Sequence, residues 1–109
     1  MVRPNADDGR PVEGLFYEAF EPMAVAEFER IAGEARARFG DVRLAIVHRV
    51  GDLAVGEIAV AVVAAAAHRG AAFDACRYAV DELKSRAAIW KRERYAGGPA
   101  GWKANAPHE

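Results

Sequence analysis

His68, Arg69 and Gly70 follow a run of small apolar residues and open a helical pattern. A strand that runs into a helix there presents unpaired backbone N–H groups and the positive end of the helix dipole. The imidazole and the guanidinium add side-chain donors, and such a set suits an anion, most simply a phosphate. The same residues also read as an unliganded turn, with His68 capping it and Arg69 in a surface ion pair. A second concentration of positive charge comes from Lys84 and the run Trp90-Lys91-Arg92-Glu93-Arg94. By itself it reads as part of a solvated helix stripe followed by an exposed strand face. A lysine becomes a nucleophile or an acid–base group only where burial or neighbouring cations lower its pKa. Arg69, Lys91 and Arg92 would supply those cations if the fold gathered them around Lys84, so the residues themselves point to an anion pocket of His68, Arg69, Lys84 and Lys91.

Other reactive types carry less. Cys76 falls on the apolar stripe of a helix and reads as an inert buried thiol. His48 follows Ile46 in a strand and reads as a core-edge histidine, Trp90 and Trp102 read as packing residues, and His108 lies in a polar tail. One cysteine and three scattered histidines make no metal-ligand spacing and exclude an intramolecular disulfide. The sequence has no Gly-rich nucleotide loop, no nucleophile elbow and no Cys-x-x-Cys.

The elements that must position these groups follow from periodicity. Met1 to Pro11, with its prolines, aspartates and glycine, reads as a loop or frayed terminus. Val12 to Phe20 carries large apolar groups on both parities, as a largely buried strand does. From Pro22 the set Ala24, Phe28, Ile31, Ala35 and Phe39 recurs at helical steps, with Glu27, Arg30, Glu34 and Arg38 opposite and Gly40 as the stop. Val42 to Val50 is a strand, Gly51-Asp52 a turn, and Ile58 to Ala65, apolar on both faces, a central strand. A second helix carries Ala72, Phe73, Cys76, Ala79, Val80 and Leu83 on its apolar stripe and Asp74, Arg77, Asp81 and Lys84 on its polar one. Ala88 to Tyr95 reads as a last strand before a Gly-Gly-Pro turn. The order strand, helix, strand, strand, helix, strand predicts an α+β fold with a mainly antiparallel sheet and two principal helices.

The chain of 109 residues fits one domain, 1–109, and its net charge of -1 offers no bulk attraction for nucleic acid or an anionic membrane. The weakly polar stretch from Ile58 to Ala67 is about half the length a membrane-spanning helix needs. With no basic-then-apolar signal at the start, the expected location is the cytoplasm.

Read in order, Ala45-Ile46-Val47-His48-Arg49-Val50-Gly51, Val55-Gly56-Glu57, Ala67-His68-Arg69, Ala72-Phe73, Asp81-Glu82-Leu83-Lys84 and Ile89-Trp90-Lys91-Arg92-Glu93 resemble the large, catalytic subunit of molybdopterin synthase, the MoaE family. The resemblance extends upstream through Tyr17-Glu18-Ala19-Phe20 and Met23 and downstream to Gly101-Trp102. It implies an α/β-hammerhead-like fold and an enzyme that moves sulfur from the C-terminal thiocarboxylate of a small ubiquitin-like subunit onto cyclic pyranopterin monophosphate, forming a dithiolene. By the same resemblance Lys84 is catalytic, either stabilising charge as the thiocarboxylate adds or meeting the released acyl group, and Lys91 assists it. His68 and Arg69 meet the substrate phosphate, Arg92 and Glu93 continue the substrate-contacting run, and Arg3 matches a family arginine. It further implies a dimer of large subunits within a heterotetramer, a pocket that draws cations from the neighbouring large subunit, and no metal or organic cofactor for the step. Relative to the family the chain is short at its N-terminus. The alternative expectation is a non-catalytic truncated paralogue that binds the small subunit or a pterin phosphate.

Overall fold

The computed structural model describes residues 1–6, 9–86, 89–95 and 101–104, the last four as backbone. Its elements are β1 (Val12–Ala19), α1 (Glu21–Phe39), β2 (Val42–His48), β3 (Gly51–Ala54), β4 (Val60–Ala66), α2 (Arg69–Arg86), β5 (Ile89–Tyr95) and β6 (Gly101–Ala104). They form a four-stranded sheet in the order β3-β1-β5-β6 and a two-stranded sheet of β2 and β4, with every pairing antiparallel. The α+β class with two principal helices is thus as expected, but the strands divide between two sheets.

Local chemistry accounts for the element ends. Pro22 sits in the first turn of α1, where its missing N–H is no loss. Glu21 lies at the positive end of the helix, and Arg36 and Arg38 lie at the negative end. Gly40 stops the helix at φ +89°, in the region glycine enters without strain, and returns its N–H to the Arg36 carbonyl. Ala24, Ile31 and Ala35 are buried on one stripe, with Phe28 and Phe39 half-buried beside them, as the periodicity requires.

Two packed regions result. In the first, Val12, Leu15 and Tyr17 of β1 meet Leu53 of β3 and Ile89 and Tyr95 of β5. In the second, α1 and α2 cover one face of β2–β4, burying Ile31, Ala35, Val42, Ala75, Ala79 and Leu83, and Phe28 packs against both regions.

Five expectations are corrected. The N-terminal segment is docked: Val2 is 1% exposed and exchanges backbone hydrogen bonds with Gly56 and Glu57, Val12 N–H bonds the Pro4 carbonyl, and Asn5 bridges to Pro11. Gly51-Asp52 begins β3, which leaves β2 to join the other sheet beside β1. β4 is not central, since its described partner is β2 alone and its outer face is open, with Val63 63% exposed. On α2 the buried stripe is Ala75, Ala79 and Leu83, so Phe73 points outward at 74% exposure, while Cys76 is half-buried with its thiol toward the Val62 carbonyl. A run whose first half is mostly small residues, Gly70, Ala71, Ala72, Ala75 and Cys76, sets no sharp helical phase, and tertiary packing chose it. Trp90 is more exposed than a packing residue would be; the side chain of Trp102, and His108 altogether, lie outside the described residues.

Candidate active site

The alternation of β5 sorts its charges. Ile89, Glu93 and Tyr95 are buried on the inner face and Lys91 shares their parity, while Trp90, Arg92 and Arg94 share the outer one. Lys91 stands across from Tyr17 of β1, and Glu93 across from Leu15. Lys84 occupies the last turn of α2, close in sequence to the start of β5, so the end of the helix delivers one lysine to the face that displays the other. The docked N-terminal segment closes the third side. The result is a cavity of about 220 Å³ lined by Arg3, Asn5, Tyr17, Lys84, Lys91 and Glu93, with Met1, Ala6, Val12 and Leu15 as its apolar wall.

Among the described residues, three cationic side chains thus line one space with one carboxylate, and Glu93 is only 5% exposed. Such a site attracts an anion and stabilises negative charge that develops inside it. Tyr17 belongs to it too. Its pKa is raised, first by burial and then by the charge of Glu93, with Arg3 pulling the other way, so the phenol is protonated at neutral pH. Among the described residues no group of three metal-ligating side chains exists.

The structure brings together four of the seven residues expected at the site, Arg3, Lys84, Lys91 and Glu93, and separates the other three. Arg92 lies on the opposite face of the sheet, its guanidinium over the Phe16 ring at 5.5 Å. His68 and Arg69 sit at the start of α2, and fifteen residues of helix at 1.5 Å each put Arg69 roughly 22 Å from Lys84. A pocket combining all of His68, Arg69, Lys84 and Lys91 from one chain is therefore corrected, because a straight helix holds its two ends apart. Of the cations expected around Lys84, Lys91 is there and Arg3 takes the place of Arg69 and Arg92. Tyr17 and Asn5 are lining residues that sequence reasoning missed. Tyr17 shares the parity of Leu15, but only the register of β1 on β5 makes it the neighbour of Lys91.

Fold and cavity together define an α+β protein with a cation-lined cavity between a helix end and a sheet. Residues 1–86 match the family model described as MoaE protein, and the chain belongs to that family. It is 48% identical over 103 residues to the molybdopterin synthase catalytic subunit of Nostoc sp., an alignment covering 94% of this chain and 62% of that protein. The chain spans less than two thirds of the length of this relative, as it does of that from Pyrococcus abyssi. Its fold superposes on the crystal structure of molybdopterin synthase from Staphylococcus aureus with a TM-score of 0.84 at 35% identity, covering 94% of this chain and 74% of that one. A chain from the complex of subunits 1 and 2 of the Helicobacter pylori molybdopterin-converting factor shares the fold, with a TM-score of 0.70 at 20% identity over 90% of this chain and 64% of that one.

Proposed function

We propose that this chain is a molybdopterin synthase catalytic subunit, a sulfurtransferase that moves sulfur from the C-terminal thiocarboxylate of a small ubiquitin-like subunit to cyclic pyranopterin monophosphate. The observation that carries the reading is the convergence of Lys84, Lys91 and Arg3 on one cavity. Both reactants are anions, and the tetrahedral species formed as sulfur adds is more charged still, so a cavity with three cations favours approach and addition together. Lys84 is assigned the catalytic role and Lys91 the assisting one. Arg3 and Glu93 line the substrate space.

His68 and Arg69 enter this scheme through a second copy. The outer face of β2–β4 displays Ala45, Val47, Ala61, Val63 and Ala65 uncovered, and His68 and Arg69 follow at the end of β4. Small apolar side chains on an open sheet face support a dimer of large subunits, and the far end of α2 then serves the partner's cavity rather than its own. The pairing in the Helicobacter pylori complex supports a small-subunit partner as well. Residues 1–109 are read as one domain; no described helix is long and apolar enough to cross a membrane.

The test is reconstitution of the chain with a thiocarboxylated small subunit and cyclic pyranopterin monophosphate, with molybdopterin followed as its fluorescent oxidation product. Product from the wild type that disappears in Lys84→Ala, with circular dichroism unchanged, establishes the reading. A folded wild type that binds the small subunit and makes no product overturns it in favour of a non-catalytic binding module.

A further inference from the structure

Tyr17 carries a phenol where packing alone asks for a phenylalanine. It stands in β1 with Lys91 across from it on one side and Gly51 on the other, is 8% exposed, and lines the cavity with Arg3, Lys84, Lys91 and Glu93. Its ring is held from behind by His48 of β2, edge to face, with centroids 4.9 Å apart and planes at 70°. His48 is itself fixed, since its Nδ1 lies 2.7 Å from the Arg49 carbonyl, an acceptor to which it can only donate. The ring of Tyr17 therefore has little freedom. Among the described residues its hydroxyl makes no hydrogen bond, and it is not one of the sealed polar atoms of the core, so it opens onto the cavity that Tyr17 lines. The hydroxyl is thus left to a ligand.

Lysines supply charge without direction, because an ammonium on a flexible stem follows its partner. A phenol on a wedged ring supplies direction. We propose that the Tyr17 hydroxyl is a substrate contact of the cavity, donating a hydrogen bond to the anionic group that Lys84 and Lys91 attract, and that His48 is a positioning residue acting through the tyrosine ring. The ligand's identity rests on the function proposed above; the contact itself does not.

The experiment uses the full chain labelled with ¹³Cζ-tyrosine, which has three such residues, Tyr17, Tyr78 and Tyr95. Tyr17 is assigned by elimination with Tyr78→Phe and Tyr95→Phe. Titration with cyclic pyranopterin monophosphate, and separately with inorganic phosphate, shifts the Tyr17 resonance saturably in the wild type. Tyr17→Phe weakens binding of the pterin about tenfold and lowers turnover by a similar factor at unchanged melting temperature. His48→Ala reproduces part of that loss, and His48→Phe, which restores a ring edge, rescues it. A Tyr17 resonance that stays fixed while calorimetry reports saturation overturns the proposal, as does full affinity in Tyr17→Phe. The wild-type titration decides the matter even if that variant unfolds. A chain that binds the pterin through Tyr17 but makes no molybdopterin upholds the contact and overturns the synthase reading, so the two failures are distinguishable.

Discussion

Lys84 and Arg86 lie two residues apart in the last turn of α2 and serve opposite ends. Arg86 is enclosed by carboxylates: its Nε bonds Glu27 at 2.8 Å, its Nη2 bonds Glu34 at 2.6 Å, and its Nη1 bonds Glu82 at 3.0 Å. Tyr78 adds its hydroxyl to Glu34. One cation among three carboxylates ties α1 to α2. Lys84 lines a cavity whose described lining holds three cationic side chains and one carboxylate. The difference teaches that charge ratio, more than charge, separates a clamp from a site. An excess of carboxylates holds a guanidinium in one geometry, and an excess of cations leaves attraction over for an incoming anion.

The sharpest way to break that contrast is to remove each cation in turn. Lys84→Ala lowers molybdopterin formation about 10³-fold with the melting temperature unchanged, read by the fluorescence assay beside a thermal scan. A comparable loss of stability would make Lys84 a second clamp. The next effect in size lies on β5. Lys91→Ala costs turnover about 10²-fold, whereas Arg92→Ala, on the opposite face of the same strand, changes it less than about twofold. Equal losses would show that the two faces are not functionally separate.

Arg86→Met should act on the fold. It strands Glu27, Glu34 and Glu82 beside one another, and urea unfolding should report a loss of about 1–2 kcal/mol, reduced from the value of a fully buried pair because the site is partly open to solvent. Turnover per folded molecule stays the same.

The smallest effect is a pH dependence to which the clamp contributes, beside Glu57, whose carboxylate is held down by the Ala54 N–H and then by Arg49. The hydrogen bond from Arg86, then that from Tyr78, holds Glu34 down at about 2, and Glu27 is lowered chiefly by Arg86 and then by Arg30. Carboxylates that bind protons less tightly when folded stabilise the chain above their ordinary value of about 4.3. That contribution is lost as pH falls toward 2. Urea midpoints should drop between pH 5 and pH 3, and Glu34→Gln should flatten the drop; an unchanged slope would remove Glu34 from the clamp.

Much of this was legible beforehand, and what failed did so for definite reasons. The 3.6-residue spacing of Ala24, Phe28, Ile31, Ala35 and Phe39, with Pro22 before it and Gly40 after it, left α1 little choice. β2 and β5 were legible as well. The Arg86 clamp was not, because Glu27 and Glu34 look like an ordinary solvated stripe until a second helix brings an arginine across to them. Nor was the docking of the first residues, since a lone Val2 between Met1 and Arg3 shows no periodicity, and the groove near Gly56 that receives it comes from distant sequence.

Residue order alone therefore determined the two helices, a strand over the run that holds Lys91 and Arg92, and the family to which the blocks around His48, Lys84 and Lys91 belong. Periodicity and motif are local properties, and a single chain states them outright. Tertiary structure decided which of the cations meet. It brought Arg3 and Tyr17 to Lys84 and Lys91, and it sent His68 and Arg69 to the far end of a rigid helix. Distances between elements depend on register and helix length together, and no spacing within one segment encodes them.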